Sequence, residues 1–329
     1  QLINAQPEQI IWTSGATESN NLALKGVAQA SGQSRGHIIT SQIEHKAVLD
    51  TARFLQGSGF EVTYLAPDAN GLVSAEQVSA ALRADTLLVS LMLVNNELGT
   101  VNDIPGIGLR VREHGALFHV DAAQGAGKVA IDLGEWAVDL MSFSGHKIYG
   151  PKGIGALYVG PRAQDRLQAQ IHGGGHESGL RSGTLATHQI AGMGAAFALA
   201  SESFAEEQEH IRSLRQRLLE QLADVPGLQC NGCPTRRIPH TLSLTFSEGH
   251  FNTAALSAAL AYSATSACNS ASNAPSHVLL ALGHDAEKAG RTIRLSLGRF
   301  TSEQDIEAAA KAIKASVAAP APFWAVAQS

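Results

Sequence analysis

The sequence predicts an α/β protein with a large domain built on a mainly parallel sheet, followed by a smaller α+β domain. Over the first two-thirds of the 329 residues, short apolar runs alternate with amphipathic stretches. Strands that alternate with helices in this way are typical of a parallel sheet covered on both faces. Hydrophobic residues make up 44% of the chain and charged residues 16%, a balance that supports a well-buried core.

The order of the elements follows from these runs and from the helical stretches between them. Predicted strands lie at 9–13, 37–40, 61–65, 87–94, 116–120 and 138–143. Predicted helices lie at 21–30, 45–57, 74–84, 103–114 and 189–204. A polar stretch at 201–221 predicts a long exposed helix, followed by strands at 241–246 and 292–297 and a helix at 302–317. We therefore divide the chain into a large domain, 1–203, and a small C-terminal domain, 204–329.

Composition argues against several classes of protein. Lys plus Arg number 24 against 29 for Asp plus Glu, so the chain lacks the overall basic charge of a nucleic-acid-binding protein. The longest apolar run, 86–94, is far shorter than the roughly 20 residues of a membrane-spanning helix. Three cysteines do not make a disulfide framework, so we expect a reducing compartment such as the bacterial cytoplasm. The chain lacks an initiator Met, so we expect an upstream segment, and a mitochondrial matrix location stays open.

Two ionisable residues stand at the ends of predicted strands. Asp121 ends the apolar run 116–120, and Lys147 follows the run 138–143 after the small residues Ser144 and Gly145. Taken alone, such an Asp is a helix cap and such a Lys a solvated turn residue. However, functional groups of α/β sheets collect at strand ends, and a Lys with an Asp is the pair that a pyridoxal phosphate (PLP) site requires. The Lys amine bonds the cofactor, and the carboxylate keeps the pyridine nitrogen protonated.

A loop suited to phosphate lies at 13–20, between a predicted strand and a predicted helix. Its residues are mostly small, so backbone N–H groups can approach an anion at the positive end of the helix. The loop has neither the G-x-G-x-x-G nor the G-K-[ST] pattern of nucleotide loops. Together with Asp121 and Lys147, it supplies the third component of one PLP site.

Seven motifs along nearly the whole chain occur in an order that resembles the cysteine desulfurases, of the housekeeping type that serves iron–sulfur cluster assembly. They lie at 13–20, 44–48, 94–97, 144–153, 172–177, 181–184 and 266–268. The resemblance implies a class V PLP enzyme of fold type I, with a seven-stranded sheet in the large domain. It also implies an N-terminal segment that this chain lacks.

The resemblance implies a role for each matching position. Lys147 would carry PLP and shuttle the substrate Cα proton, and His45 would stack on the ring and act as an acid–base group. Asn96 and Arg294 would bind the substrate, because the planar guanidinium of Arg294 suits a carboxylate. The other cofactor ligands would be Ala16, Thr17, Asn96, Asp121, Gln124, Ser144 and His146, with Thr184 reaching across from the second subunit of a homodimer.

Cys268 is the candidate nucleophile. It lies among small polar residues at 263–273 that offer nothing to anchor a core, so we expect a loop rather than a buried structural Cys. Attack on the substrate sulfur requires the thiolate form. The implied reaction converts L-cysteine to L-alanine and leaves a persulfide on Cys268. The sulfur would pass to acceptor proteins such as an iron–sulfur scaffold, and to tRNA and cofactor thiolation.

Several features leave alternatives open. Thr265 stands where the family loop has Gly, and the chain ends soon after Phe323 and Trp324, so scaffold binding is less expected than catalysis. A selenocysteine lyase, another class V enzyme, or a catalytically weak paralogue with a binding role are the alternatives. The Cys230–Cys233 C-x-x-C has no second such pair, and we interpret it as a turn with two incidental thiols. We expect no metal site.

Overall fold

A seven-stranded sheet forms the centre of the first of two structural units. The computed structural model describes residues 2–32, 35–249, 251–264 and 274–318. Contacts divide the chain into a first unit, Gln1–Asn95 with Thr100–Phe204, and a second unit, Asn96–Gly99 with Ala205–Ser329. The short segment Asn96–Gly99 thus belongs with the C-terminal part of the chain.

The sheet of the first unit has the strand order β1-β7-β6-β5-β4-β2-β3. Strands β2 to β6 pair in parallel, and β7 runs antiparallel to both of its neighbours, β1 and β6. This arrangement confirms the prediction of an α/β protein with a mainly parallel sheet. The strands are β1 Ile10–Thr13, β2 His37–Ser41, β3 Glu61–Leu65, β4 Thr86–Met92, β5 Leu117–Asp121, β6 Leu140–Ser144 and β7 Gly155–Val159.

Helices connect these strands, and several of them start at polar side-chain caps. Ser74 and Gln77 form a capping box on α3, and Asp103 accepts a hydrogen bond from Gly106 N–H at the start of α4. Gly115 ends α4 with a φ of 96°, a left-handed conformation that favours glycine. The helices are α1 Ala16–Ala30, α2 Lys46–Gly57, α3 Ala75–Ala81, α4 Ile104–His114 and α5 Thr187–Glu202.

Helix α1 begins five residues before the predicted helix at 21–30. The reason is local. The Glu18 carboxylate accepts the backbone N–H of Ser14 at 2.9 Å, and this hydrogen bond ties the residues before the helix to its first turn. Leu22, Leu24 and Val27 of α1 are buried against the sheet in one apolar cluster. The early start places Ala16 and Thr17 at the first two helical positions, where backbone N–H groups have no intrahelical acceptor.

The second unit is a four-stranded antiparallel sheet with helices packed on it. The strand order is β10-β11-β9-β8. Helix α6 is not exposed all round as predicted, because Ile211, Leu214 and Leu218 form a buried stripe against the sheet. The elements are α6 Phe204–Gln221, β8 Leu228–Cys230, β9 Thr241–Phe246, α7 Thr253–Ala259, β10 Ser263–Ala264, α8 His277–Ala281, α9 Ala286–Gly290, β11 Thr292–Ser296 and α10 Glu303–Ala318.

Across the described ranges, no helix combines the length and apolar character needed to cross a membrane.

Candidate active site

The candidate active site of the first unit lies at one edge of its sheet. Strands β1, β2, β4, β5 and β6 all end at this edge, and the reversed strand β7 begins there. The register aligns Thr13 of β1 with Gly155 of β7, and Gly155 with Ser144 of β6. Asp121 ends β5 beside Met92 of β4. The predicted phosphate loop, Asp121 and the Ser144–Lys147 turn therefore follow strand ends on the same side of one sheet.

Asp121 is held in a fixed orientation by two hydrogen bonds. Its Oδ1 accepts the backbone N–H of Ala123 at 3.0 Å, and its Oδ2 accepts the side-chain amide of Asn20 at 2.8 Å. Asn20 lies on α1 and is fully buried, and Asp121 is 5% exposed. The structure therefore joins the start of α1 to Asp121 directly, a contact that the sequence analysis did not predict.

The start of α1 fits a phosphate group. Helix α1 is 15 residues long and begins three residues after the end of β1, so its first N–H groups, at Ala16 and Thr17, have no acceptor within the helix. The backbone approaches closely here, because a Cβ added to Gly155 would lie 2.5 Å from the Cα of Gly15. Ser144 adds a hydroxyl that is 3.0 Å from Nδ1 of His146. Burial and the charges of Lys147 and Lys152 lower the pKa of His146, so this ring is neutral at pH 7 and retains one N–H to donate.

Lys147 stands on a short turn directly after β6. The turn Gly145–Ile148 is a 3₁₀ helix that ends at Tyr149 in the left-handed region with a φ of 63°. The backbone N–H of Gly145 donates to Ile154 O at 3.0 Å, and that of Gly150 donates to Gly145 O at 2.9 Å. A reactive amine needs a supported backbone and an accessible side chain, and the exposed Lys147 has both.

His45 caps a helix rather than lying inside one. Its Nδ1 accepts the backbone N–H of Ala47 at 3.1 Å at the start of α2. Because Nδ1 is an acceptor, the proton of the neutral ring resides on Nε2. The backbone of α2 thus fixes both the ring orientation and the tautomer of the predicted acid–base residue.

Glu44, beside His45, is a site feature to which sequence reasoning assigned no role. It is fully buried, and its Oε1 accepts the backbone N–H of Met92 at 3.0 Å. Burial raises the pKa of Glu44 well above its usual range, and the charge of Asp121 raises it further. In its protonated form Glu44 adds no second negative charge beside Asp121 at the sheet edge.

His119 lies two residues before Asp121 and supports the strands from within. Its Nδ1 is 2.8 Å from Ser90 Oγ on β4, and its Nε2 is 2.9 Å from Ser142 Oγ on β6. Burial lowers the pKa of His119 to about 3, so the ring is neutral. One neutral imidazole therefore bridges two hydroxyls across three adjacent strands that carry the site.

Two predicted ligands of the first unit lie on loops. Gln124 follows Asp121 by three residues, and its Oε1 accepts the ammonium of Lys128 at 2.8 Å. Thr184 is exposed, on a segment that is tied to α1 by an ion pair of 2.8 Å between Arg181 and Glu18. Hydrogen bonds around the site lower the pKa of Glu18 despite burial, so this carboxylate is ionised.

The predicted substrate ligands Asn96 and Arg294 meet in the second unit. Arg294, on β11, donates from Nη1 to Asn96 O at 2.9 Å and from Nη2 to Ser263 Oγ at 3.0 Å. Its Nε is buried and has no hydrogen-bond partner within the described part of the chain. A guanidinium that is held in place and has an unpaired N–H donor suits a substrate carboxylate. The predicted nucleophile Cys268, and Thr265 near it, lie outside the described residues.

Comparisons with known proteins agree with this geometry. The class-V aminotransferase family matches residues 1–309. The chain is 58% identical to cysteine desulfurase IscS of Pseudomonas putida (strain W619) over 315 residues, 95% of this chain and 78% of the relative. It is 56% identical to cysteine desulfurase IscS of Azotobacter vinelandii over 314 residues, again 95% and 78% of the two chains. Among solved structures, a NifS-like protein superposes with a TM-score of 0.85 at 35% identity, covering 94% of this chain and 82% of that one.

The sheet edge and these matches define an α/β enzyme of the fold type I PLP class. The predicted resemblance is confirmed at the level of the family. The chain belongs to the cysteine desulfurases of the class-V aminotransferase family, and like them it is a PLP-dependent enzyme.

Proposed function

We propose that the chain converts L-cysteine to L-alanine and holds the released sulfur as a persulfide on Cys268. The observation that carries this proposal is the Asn20–Asp121 hydrogen bond, which joins the α1 start to the end of β5 beside the Ser144–Lys147 turn. A structural neighbour described as SspA in complex with cysteine supports the substrate, with a TM-score of 0.79 at 44% identity over 91% of this chain and 84% of that one.

Each predicted ligand then has a defined task. PLP, when bound, supplies the electron sink for chemistry at the amino acid Cα. Asp121 would accept the pyridine N–H, and Gln124 and Asn96 would contact the ring hydroxyl. Phosphate would be bound by a set of donors at the sheet edge, namely Ala16, Thr17, Ser144 and His146.

Lys147 and His45 are the proton-transfer groups of this proposal. The Lys147 amine would bond the cofactor and then move the substrate Cα proton. His45 would stack on the ring and exchange a proton through Nε2, because its Nδ1 is engaged by Ala47 N–H. Arg294 would bind the substrate carboxylate together with Asn96, and the Cys268 thiolate would attack the substrate sulfur.

The proposal includes a homodimer in which Thr184 completes the phosphate site of the other subunit. The exposure of Thr184 supports this role, since a side chain facing outward can serve a second chain. Helix α5 begins three residues after Thr184, and the exposed side chains in its middle, Ala191, Ala195, Ala198 and Leu199, are apolar. Sulfur-acceptor proteins such as an iron–sulfur scaffold would receive the persulfide sulfur. We place the enzyme in the cytoplasm, because the curated relatives named above are bacterial.

The assignment of Lys147 is tested by trapping the cofactor on the chain. We expect borohydride reduction of the PLP-loaded protein, followed by tryptic mapping, to find the cofactor mass on Lys147. Lys147→Ala should show no such mass and no alanine formation. Lys152→Ala, five residues further along the same loop, should keep both. Stable attachment at another lysine in the wild type, or turnover in Lys147→Ala, would refute the assignment.

A further inference from the structure

The Cys230–Cys233 pair has no role in the function proposed above. Its loop is not a loose turn, because hydrogen bonds fix it to the neighbouring strand β9. Cys230 ends β8 and is exposed, and Cys233 is 7% exposed. Asn231 between them is anchored on β9: its backbone N–H donates to Ser243 O at 2.8 Å. Its side-chain amide donates to Ser243 Oγ at 3.0 Å and to Thr245 Oγ1 at 2.8 Å. Gly232 then turns the chain with a φ of 86°, which favours glycine.

Hydrogen-bond donors surround both sulfurs. The backbone N–H of Arg236 donates to Cys233 Sγ at 3.4 Å, and Thr235 Oγ1 lies 3.5 Å from the same sulfur. Arg237 donates from Nη1 to Cys230 Sγ at 3.4 Å. The other end of that guanidinium is fixed, because Nη2 donates to Leu98 O and Thr241 O, each at 2.9 Å.

Positive charge converges on this loop from two elements. Arg236 and Arg237 follow Cys233 in sequence. Burial lowers the pKa of Arg237, and the nearby charge of Arg215 on α6 lowers it further. Burial raises the pKa of the Cys233 thiol, but hydrogen bonds from Thr235 and Arg236 outweigh it and lower the pKa to about 7. Reactive cysteines occur in such electropositive surroundings, whereas structural buried cysteines do not.

Within the ranges that the structure describes, no group of three or more His, Cys, Asp or Glu side chains is arranged to hold a metal. Structural zinc sites use four protein ligands, and this loop supplies two.

We propose that Cys230 and Cys233 form a peroxide-sensitive dithiol that closes to a disulfide. The Cys233 thiolate attacks one oxygen of hydrogen peroxide, the O–O bond breaks, and hydroxide leaves to become water. The Cys230 sulfur then attacks the resulting sulfenic sulfur of Cys233, and a second water leaves. The two thiols lose two electrons and two protons, and one peroxide is reduced to two waters. Cys233 is reached only by a small oxidant, since it is buried, and Cys230 is the exposed resolving thiol.

Tryptic mapping tests this proposal cleanly, because both cysteines lie in one peptide, 218–236, and Cys268 lies in another, 238–288. The PLP-loaded protein, without L-cysteine, is treated with stoichiometric hydrogen peroxide, denatured and alkylated. We expect peptide 218–236 to lose two hydrogens and to resist alkylation until it is reduced. Two alkylatable thiols in that peptide, after the Cys268 thiol has been consumed, would overturn the proposal. Separate sulfinic acids at Cys230 and Cys233 would also overturn it.

Single variants separate the two roles. Cys230→Ser should accumulate a sulfenic acid at Cys233 that a cyclic diketone traps, and Cys233→Ser should react slowly at Cys230. Thr235→Val keeps the side-chain shape but removes a hydrogen bond that lowers the Cys233 pKa. Below neutral pH its thiolate fraction should fall by about tenfold for each unit of pKa increase. Its closure rate should fall by a smaller factor, because a thiolate of higher pKa is the better nucleophile. An unchanged rate in Thr235→Val, or trapping at Cys230 rather than Cys233, would contradict the assigned order.

Discussion

At the scale of single residues, the proposed PLP site depends on Asp121 and on the Asn20 amide that orients it. The sequence predicted Asp121 because an acidic residue at the end of an apolar strand is a local pattern. It could not predict Asn20, which is 101 positions away and meets Asp121 only when α1 packs beside β5. Glu44 was missed for the same reason, since its burial and its bond to Met92 arise from the packing of β2 beside β4.

Removing the Asn20 amide should weaken PLP binding. A hydrogen bond to a charged group contributes about 1.5–3 kcal/mol, so Asn20→Ala should raise the PLP dissociation constant by about tenfold or more. Asn20→Asp should weaken binding further, because it places a second carboxylate against Asp121. Titration of the apoprotein with PLP, followed by absorbance, measures both constants.

The neighbouring residue supplies the control for this comparison. Asn21 follows Asn20 on the same helix, and its side-chain amide donates to Thr17 O at 3.0 Å. Asn21→Ala should therefore keep the wild-type affinity. Equal affinities for wild type and Asn20→Ala would show that Asp121 does not depend on this amide.

At the scale of elements, periodicity predicted the parallel strands and their helices, and packing decided the boundaries. Strand β7, Gly155–Val159, was missed because five apolar residues after a glycine-rich loop carry no distinctive period. The start of α1 was misplaced because the Glu18 carboxylate closes its first turn. The position of Cys268 stays a prediction, as does the domain boundary at 203/204.

His119 gives the β4–β5–β6 segment a pH dependence. Its pKa is lowered from 6.5 to about 3 by burial, so below pH 6.5 the unfolded chain binds a proton that the native chain does not. The free energy of unfolding should therefore fall as the pH is lowered. Well below pH 6.5, this residue alone should contribute a fall of about 1.4 kcal/mol per pH unit. Urea unfolding at several pH values should show that His119→Gln loses this contribution to the slope.

A matched histidine separates this effect from a general acid effect. His114 is exposed at the C-terminal end of α4, so His114→Gln leaves the His119 contact with Ser90 and Ser142 intact. It should retain the steep fall of stability below pH 6.5. Parallel pH profiles for wild type and His119→Gln would exclude a neutral buried His119 as the cause.

At the scale of the whole molecule, the family was predicted from the order of seven motifs along the chain. No single helix or strand contains enough of these motifs to indicate the family. Composition predicted a well-buried core, and the alternation of elements predicted the α/β class. The C-terminal unit was harder to predict, because its short helices α7, α8 and α9 are five to seven residues each and have little periodicity. Packing decides their positions instead, since α7 contacts α10, α8 contacts α9, and α9 contacts β9.

The proposed homodimer makes a distinctive prediction about mixed subunits. Lys147→Ala and Thr184→Asp should each be inactive as homodimers, the second because a carboxylate repels phosphate. In the heterodimer of these two chains, one site combines both changes and the other has none. About half of the wild-type activity per dimer should therefore return, which alanine release from a differentially tagged, purified heterodimer would measure.

Thr187→Asp is the control for charge near this loop. Thr187 is also exposed, at the first position of α5. Homodimers of Thr187→Asp should stay active. If the heterodimer of Lys147→Ala with Thr184→Asp recovers nothing while each parent folds and dimerises, Thr184 does not serve the other subunit.

The most direct test of the central proposal is alanine release from L-cysteine by the PLP-loaded protein with a thiol reductant present. Wild type should release alanine over many turnovers, with sulfide appearing in equal amount. Cys268→Ala should retain bound PLP and release none, and Cys230→Ser should behave as wild type. Alanine release by Cys268→Ala at the wild-type rate, or none from a PLP-loaded wild type, would contradict a desulfurase that works through a Cys268 persulfide.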